Sequence, residues 1–472
     1  MPPKRKAAGA KKLKATLSAS EDVVPGKAGA LVVELLEWVF RLASNRYFAE
    51  VVEMLNADEN TLGSKRKWGN PLVACSAVNK YWHAVTAKFL YRVVVITRPE
   101  SMHLLLRSLK ANKALAKHID SFSLDYRYKG IPTKPDLAAA EKARRIETSA
   151  ATWEVLNMLK GLYHLDVSTY SLEPAPKGKN KQPILPNNVL KGLKSITIRD
   201  TAPNHGARTA YSRWVKIAAP TLERLRCRMY CSEDNFLSTC APMKNLKSLS
   251  VKFSSDHSTK FYDLALGSSG EDHAVVEDLS IGKRNYTEPG LRALFSRLRD
   301  HAPLLRRLHL GINFDPDIDA GIVYTAVTGI LRLTTRLEYF SLALRQAPLR
   351  TEQQQREVVD ALPSTLSTLR FGQSWVSDWD GDVSRTEFSN EAQMVLDRVE
   401  KGELPKLRAI RIGADERWPE AGRDPKRHST ERKANERLAK AVTKAATKLG
   451  VDLVFMTEQL PDHLPWFYVN SK

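Results

Sequence analysis

An apolar triplet recurs down this chain: one apolar residue, two others, a second apolar residue, one other, and a third. It reads Ile119, Phe122, Leu124; Leu162, Leu165, Val167; Leu193, Ile196, Ile198; Leu222, Leu225, Cys227; and Leu246, Leu249, Val251. It continues as Val276, Leu279, Ile281; Leu305, Leu308, Leu310; Leu337, Phe340, Leu342; Leu366, Leu369, Phe371; and Leu407, Ile410, Ile412. The last two members of each triplet alternate with one residue between them, as on the buried side of a β-strand. The usual step between copies is about 30 residues, which leaves room for one strand and one return segment. Such a unit cannot bury both of its apolar faces alone, so neighbouring units must stack.

The pattern predicts an α/β leucine-rich-repeat solenoid over residues 99–472, a curved parallel sheet with convex helices, closed by a strand at Val451, Leu453 and Phe455. Return helices are expected at 291–299, 322–333, 352–362, 391–400 and 431–449, the last stopped by Gly450. Ala219-Pro220, Ala241-Pro242 and Ala302-Pro303 turn the chain into the next strand. Alternation then sends the intervening residues to the open, concave face. They include His164, Asp166 and Ser168; Ser195, Thr197 and Arg199; Ser248, Ser250 and Lys252; Asp278 and Ser280; His309; Tyr339 and Ser341; Arg370; and Arg411. Arg224, Arg226, Arg228 and Arg307 share that face and are the expected centre of a site for an acidic or phosphorylated protein segment.

Ahead of the repeats, residues 1–29 combine lysines with Pro, Gly, Ala and Ser and are read as a disordered basic tail. Its clusters Lys4-Arg5-Lys6 and Lys11-Lys12-Leu13-Lys14 are a candidate nuclear localisation signal. Residues 30–98 read as a helical domain. Leu31, Leu35, Leu36, Val39 and Phe40 recur at helical spacing, and a polar loop follows over about 56–70. A second helix starts at Pro71, with Leu72, Cys75, Val78, Trp82 and Val85 as its stripe. Val93 to Ile96 reads as a strand, and a further helix is expected from Glu100 to Lys117 with Leu104, Leu105, Leu109 and Leu115 inward.

The segments 31–42 and 72–82, followed by Phe89-Leu90-Tyr91-Arg92-Val93-Val94-Val95 and Leu105 to Leu109, resemble the F-box of basidiomycete fungal F-box proteins. Two departures stand out: Val32 occupies the usual proline position, and the loop over 46–69 is long. The resemblance implies a substrate-recognition subunit of an SCF-type cullin–RING ubiquitin ligase. Leu31, Leu35, Leu36, Val39, Phe40, Leu72, Cys75, Val78 and Trp82 would dock a Skp-family adaptor and, through it, cullin. The repeats would hold a protein substrate.

Composition narrows the remaining classes. The 472 residues carry a formal charge of +20 from 73 Lys and Arg against 53 Asp and Glu, which favours acidic partners. It also raises a second reading, a basic nuclear repeat protein that binds nucleic acid or chromatin without ligase function. No apolar run reaches the length of a membrane span, and no signal-peptide core is present, so an intracellular protein of nucleus or cytoplasm is expected. Four cysteines give no disulfide framework. No phosphate-loop, dinucleotide, zinc-protease or nucleophile-elbow motif occurs, and no enzyme activity is expected. Cys227, Cys231, Cys240 and His257 lack zinc-finger spacing, and Asp378, Asp380 and Asp382 lack the closing acid of a calcium loop. No cofactor or metal is expected.

Overall fold

The structure, a computed structural model, describes residues 33–56, 71–96, 98–124, 135–168, 187–199, 214–229, 243–253, 275–286, 288–314, 320–345, 351–372, 384–413 and 425–456. The basic tail, Leu31, Cys231, Cys240, His257, Asp378, Asp380 and Asp382 lie outside these residues. The chain divides into two compact units, Met1–Tyr47 with Trp68–Leu90, and Phe48–Lys67 with Tyr91–Lys472.

The larger unit is a single twelve-stranded sheet whose strands follow one another in strict sequence order. They are β1 (Val93–Ile96), β2 (Ser121–Leu124), β3 (His164–Ser168), β4 (Ser195–Arg199), β5 (Arg224–Met229) and β6 (Ser248–Phe253). β7 (Asp278–Tyr286), β8 (Arg307–Phe314), β9 (Tyr339–Arg345), β10 (Thr368–Gly372), β11 (Ala409–Gly413) and β12 (Asp452–Met456) complete it. Every pairing is parallel, from β1·β2 to β11·β12.

The middle residues of all ten triplets fall in one register row, from Phe122 through Leu165, Ile196, Leu225, Leu249, Leu279, Leu308, Phe340 and Leu369 to Ile410. Val94 and Leu453 extend the row at its two ends. All thirty members of the ten triplets are no more than 1% exposed, and one continuous apolar core includes them. Each such side chain contributes roughly 1.5–3 kcal/mol of burial. The expected repeat architecture is therefore what the chain adopts.

On the core side lie α4 (Pro99–Ala111), α5 (Pro135–Met158), α6 (Asn187–Leu190), α7 (Glu288–His301), α8 (Ala320–Leu333), α9 (Glu352–Asp360), α10 (Ser384–Glu400) and α11 (Pro425–Lys448). From α7 to α11 each helix packs on the next, and α4 packs on α5. Met102, Leu105 and Leu109 turn α4 into the core, whereas Leu104, expected inward, is exposed. Three buried residues at three- and four-residue steps already fill that side, so the helix has no second inward position for Leu104. α4 stops at Ala111, and Lys113–His118 form a separate 3-10 turn that Asn112 caps by accepting from the Ala114 N–H at 3.1 Å. α11 ends as the sequence predicts: Gly450 has φ 70°, Val451 N–H donates to Ala446 at 2.9 Å, and Gly450 N–H donates to Thr447 at 3.2 Å. That pair of bonds closes a helix through a left-handed residue, the conformation glycine adopts without a Cβ penalty.

Short polar side chains tie unit to unit just before the strands. Thr221 Oγ1 donates to the Leu193 carbonyl at 2.8 Å, Asn245 Nδ2 to Pro220 at 2.6 Å, and Thr365 Oγ1 to Leu337 at 2.8 Å. Each satisfies a carbonyl that the turn would otherwise leave unpaired.

The smaller unit holds α1 up to Tyr47 (the helix itself spans Val33–Asn56), α2 (Pro71–Ser76) and α3 (Lys80–Leu90). Leu36, Phe40, Leu72 and Phe89 form its core, with Cys75, Trp82 and Val85 packed against them. The Phe40 and Trp82 rings meet edge to face at 5.4 Å, a favoured aromatic arrangement. Lys88 and Glu37 pair beside this core. The single second helix expected from Pro71 is in fact two. Asn79 Oδ1 accepts the Trp82 N–H at 2.8 Å and starts α3 anew, and Ser76 Oγ bonds the Val73 carbonyl at 2.8 Å at the end of α2. Asparagine competes with the helix by capping the following turn.

Candidate protein-binding surfaces

Two surfaces stand out, one on each unit. In the smaller unit, the residues expected to meet an adaptor separate by role. Leu36, Phe40 and Leu72 are buried in its core, and Cys75 and Trp82 are half-buried against it. Leu35, Val39 and Val78 face solvent, Val78 from the turn between α2 and α3 and not from a helix stripe. Trp38 and Leu42, which the sequence reading did not single out, join Leu35 and Val39. At 100° per residue, positions 35, 38, 39 and 42 span an arc of about 100° on α1, next to the arc that carries Leu36 and Phe40. Trp38 is 58% exposed. An apolar stripe that includes a tryptophan, left in water beside a complete core, is the usual mark of an interaction surface.

In the larger unit, alternation places three rows on the face opposite the core. The first runs His164, Ser195, Arg224, Ser248, Asp278, Arg307, Tyr339. The second runs Ser123, Asp166, Thr197, Arg226, Ser250, Ser280, His309, Ser341, Arg370, Arg411. The third includes Ser168, Arg199, Arg228 and Lys252. The predicted face is correct, but many of these residues are not exposed. Asp166, Ser195, Thr197, Ser250, Ser280, His309 and Ser341 are all buried. Short side chains between strands about 4.8 Å apart are shielded by longer neighbours, and several bond across strands. Ser123 Oγ donates to Asp166 at 2.9 Å, while His164 Nδ1 meets Ser195 Oγ at 2.9 Å and His309 Nδ1 meets Ser341 Oγ at 2.8 Å.

The four expected arginines do not form one cluster. Arg224, Arg226 and Arg228 stand along β5, whereas Arg307 lies three strands away on β8, a separation of about 14 Å. Arg307 is itself buried, with Nε 3.9 Å from Asp278 Oδ1. Burial, above all, pushes the Asp278 carboxyl above its usual value, and the Arg307 charge pulls it partway back. Arg307 thus serves first as the counter-charge of a desolvated carboxylate.

The sequence reading missed a charge ladder along the rim where the strands begin. One residue per unit sits there: Arg92, Asp120, Tyr163, Lys194, Glu223, Lys247, Glu277, Arg306, Glu338, Ser367 and Arg408. Each of the eleven offers its carbonyl to the unit that follows; that of Arg306, for example, accepts from the N–H groups of Glu338 at 2.7 Å and Tyr339 at 3.1 Å. The side chains alternate in sign over most of the row. Arg92 pairs with Asp120 at 2.9 Å, and Glu223 lies between Lys194 at 2.8 Å and Lys247 at 3.8 Å. Arg306 lies 3.8 Å from Glu277 and reaches both Glu338 oxygens through Nη2 at 2.8 and 3.0 Å. Hydrogen bonding to Lys194 lowers the Glu223 pKa, and hydrogen bonding to Glu338 raises that of Arg306. The signal was in the sequence, one residue ahead of each strand, but it appears only after the units are aligned.

Among the described residues no group of three metal-binding side chains occurs, and no helix is long and apolar enough to cross a membrane. Cys227 is buried in the inner row of the sheet.

A sheet of parallel strands in sequence order, with a recurring apolar triplet, has the architecture of a leucine-rich-repeat solenoid. No protein-family model and no curated protein matches the chain. Among solved structures, the leucine-rich repeat-containing protein LegL7 from Legionella pneumophila is similar at 10% identity and a TM-score of 0.31, covering 67% of this chain and 88% of that one.

Proposed function

We propose that the chain is a non-catalytic substrate receptor of an SCF-type cullin–RING ubiquitin ligase. Its smaller unit docks a Skp-family adaptor and its repeat region binds a protein substrate, in the nucleus or cytoplasm. The observation that carries the reading is the Leu35, Trp38, Val39 and Leu42 stripe, apolar surface displayed by a helix whose other apolar side already fills a core. Exposed Val78 and Val73 add apolar area on the same unit. In the repeats, Arg224, Arg226, Arg228 and Arg307 are the residues proposed to attract an acidic or phosphorylated segment of the substrate, Arg307 in a lesser role because it already faces Asp278.

The test is co-expression of the full chain with a Skp-type adaptor, followed by size-exclusion chromatography. A stoichiometric complex is expected, and Trp38→Glu abolishes it without changing the circular dichroism of the free chain. A folded wild-type chain that elutes apart from the adaptor refutes the proposal. Binding to duplex DNA that weakens steeply with salt would instead support the nucleic-acid reading.

A further inference from the structure

A cavity of about 280 Å³ opens on the rim ahead of β6, among Lys194, Glu223, Lys244, Lys247, Leu246 and Val275. It lies within the charge ladder, where Glu223 sits between Lys194 at 2.8 Å and Lys247 at 3.8 Å. Lys244 adds a third cation to the lining. Three cations against one carboxylate leave the space positive, which favours an anion. Leu246 and Val275 give the same cavity an apolar part, and Val275 is 49% exposed.

Val275 also departs from a local device of this rim. Thr221 and Thr365 each stand one residue ahead of a triplet, and each ties its unit to the one before. Thr221 Oγ1 donates to the carbonyl of Leu193 and Thr365 Oγ1 to that of Leu337, both at 2.8 Å. Both acceptors are the first residue of the preceding triplet. Val275 holds the same place ahead of Val276, Leu279 and Ile281, and it has no hydroxyl to donate. The acceptor at that place is Leu246, whose carbonyl receives no hydrogen bond among the described residues. Asn245 Nδ2 does not supply one, since it donates to Pro220 at 2.6 Å. A backbone carbonyl without a protein donor is a place for another N–H.

Cations, an unmet backbone acceptor and apolar surface thus border one small space. Its volume is below the roughly 300–1,000 Å³ of pockets that enclose a whole small ligand, so it suits one residue of a chain. The residue that joins an anion, an amide N–H and an apolar side chain is the last one of a polypeptide. We propose that this cavity captures the free C-terminus of a partner protein that ends in an apolar residue. The terminal carboxylate meets the lysines, its N–H donates to the Leu246 carbonyl, and its side chain rests on Val275. A nucleic-acid backbone fits less well, because its phosphates bring neither the N–H nor the aliphatic group. The inference rests on the repeats acting as a protein-binding surface, names the kind of partner they take, and is independent of adaptor docking.

The experiment is fluorescence anisotropy on the full chain with an N-terminally labelled peptide ending Gly-Ser-Gly-Ser-Leu as the free acid. Its twins are the C-terminal amide, a free acid ending in Gly, and an amide with Asp before the final Leu. The free acid ending in Leu is expected to bind at least tenfold tighter than either amide and at least fivefold tighter than the Gly twin. Lys247→Glu, at a side chain 68% exposed, should weaken it at least fivefold. Val275→Thr is the second arm, close in size and able to tie to Leu246 as Thr221 and Thr365 tie to theirs. It should weaken the peptide at least threefold with the circular dichroism of the chain unchanged. Equal binding of acid and amide, equal binding of the Asp amide, unchanged affinity in either variant, or tighter binding of an oligo-dT of similar length each overturns the proposal. Trp38→Glu keeps peptide binding, which separates failure of this site from failure of adaptor docking.

Discussion

Reversing Arg306 tests whether the rim ladder holds the repeats in register by alternation of charge. In Arg306→Glu, three carboxylates would stand on consecutive units at Glu277, 306 and Glu338. Both native carboxylates are more than a third exposed, so the dielectric of water applies and each contact near 4 Å carries about 1 kcal/mol. Physiological salt, with a screening length of about 8 Å, reduces this to roughly 0.6 kcal/mol. Two attractions become two repulsions, so the expected loss is about 2.4 kcal/mol as an upper figure, because exposed pairs usually deliver less. The exchange Arg306→Glu with Glu338→Arg restores one attraction and keeps one repulsion, and should recover about half. Urea is the denaturant of choice since it is uncharged and leaves salt free to vary. Hydrogen exchange of peptides spanning β7 to β9 gives the local readout that a repeat array requires. In 1 M salt the screening length falls to about 3 Å, and more than half of the loss should vanish. If Arg306→Glu unfolds at the wild-type urea concentration, or if its loss ignores both salt and the exchange, the ladder has no such role.

Other outcomes follow from single sites. Leu36→Ala should destabilise the smaller unit by about 2–5 kcal/mol as a cavity in its core, whereas Trp38→Ala should leave its thermal midpoint nearly unchanged; equal effects would mean that the stripe is not a free surface. Asn79→Ala removes the cap of α3 and should cost about 1 kcal/mol, read as faster amide exchange in Lys80–Leu90 alone. For Asp278, burial raises the folded-state pKa above the usual 3.8, so its contribution to stability is fully present below that value and is lost as pH rises through the folded pKa. Wild type should therefore gain on Asp278→Asn in urea midpoint as the pH is lowered from 7 to 4, and a constant difference across that range would contradict the burial argument.

The sheet was legible because each triplet repeats a physical requirement, two alternating buried side chains on a strand and one in the turn before it. All ten middle residues found the same row. α5 was invisible to the same reasoning: its buried side includes Thr148, Ser149 and Thr152 beside Ala151, Val155 and Leu156. Thr152 Oγ1 bonds back to the Thr148 carbonyl at 2.8 Å, so that hydroxyl is satisfied within the helix, and three buried polar side chains break the apolar periodicity. Val78 failed for a different reason, since its three- and four-residue spacing suits a continuous helix that Asn79 interrupts. The open face was assigned correctly from alternation, but its burial and the Arg307–Asp278 contact depend on neighbours about 30 residues away, which no local window reports. On α1, apolar residues on two adjoining arcs blur the amphipathic signal, and only packing shows which arc the core takes.

Because each strand bonds solely to the one before it and the one after it, damage in this molecule should stay where it starts. A break at β6 would leave β1 to β5 and β7 to β12 as separate blocks, each retaining its internal bonds and losing only the shared border. Length can likewise change by adding or deleting a whole turn without rebuilding the remainder. A solenoid made this way can alter its length while every remaining step keeps its neighbours.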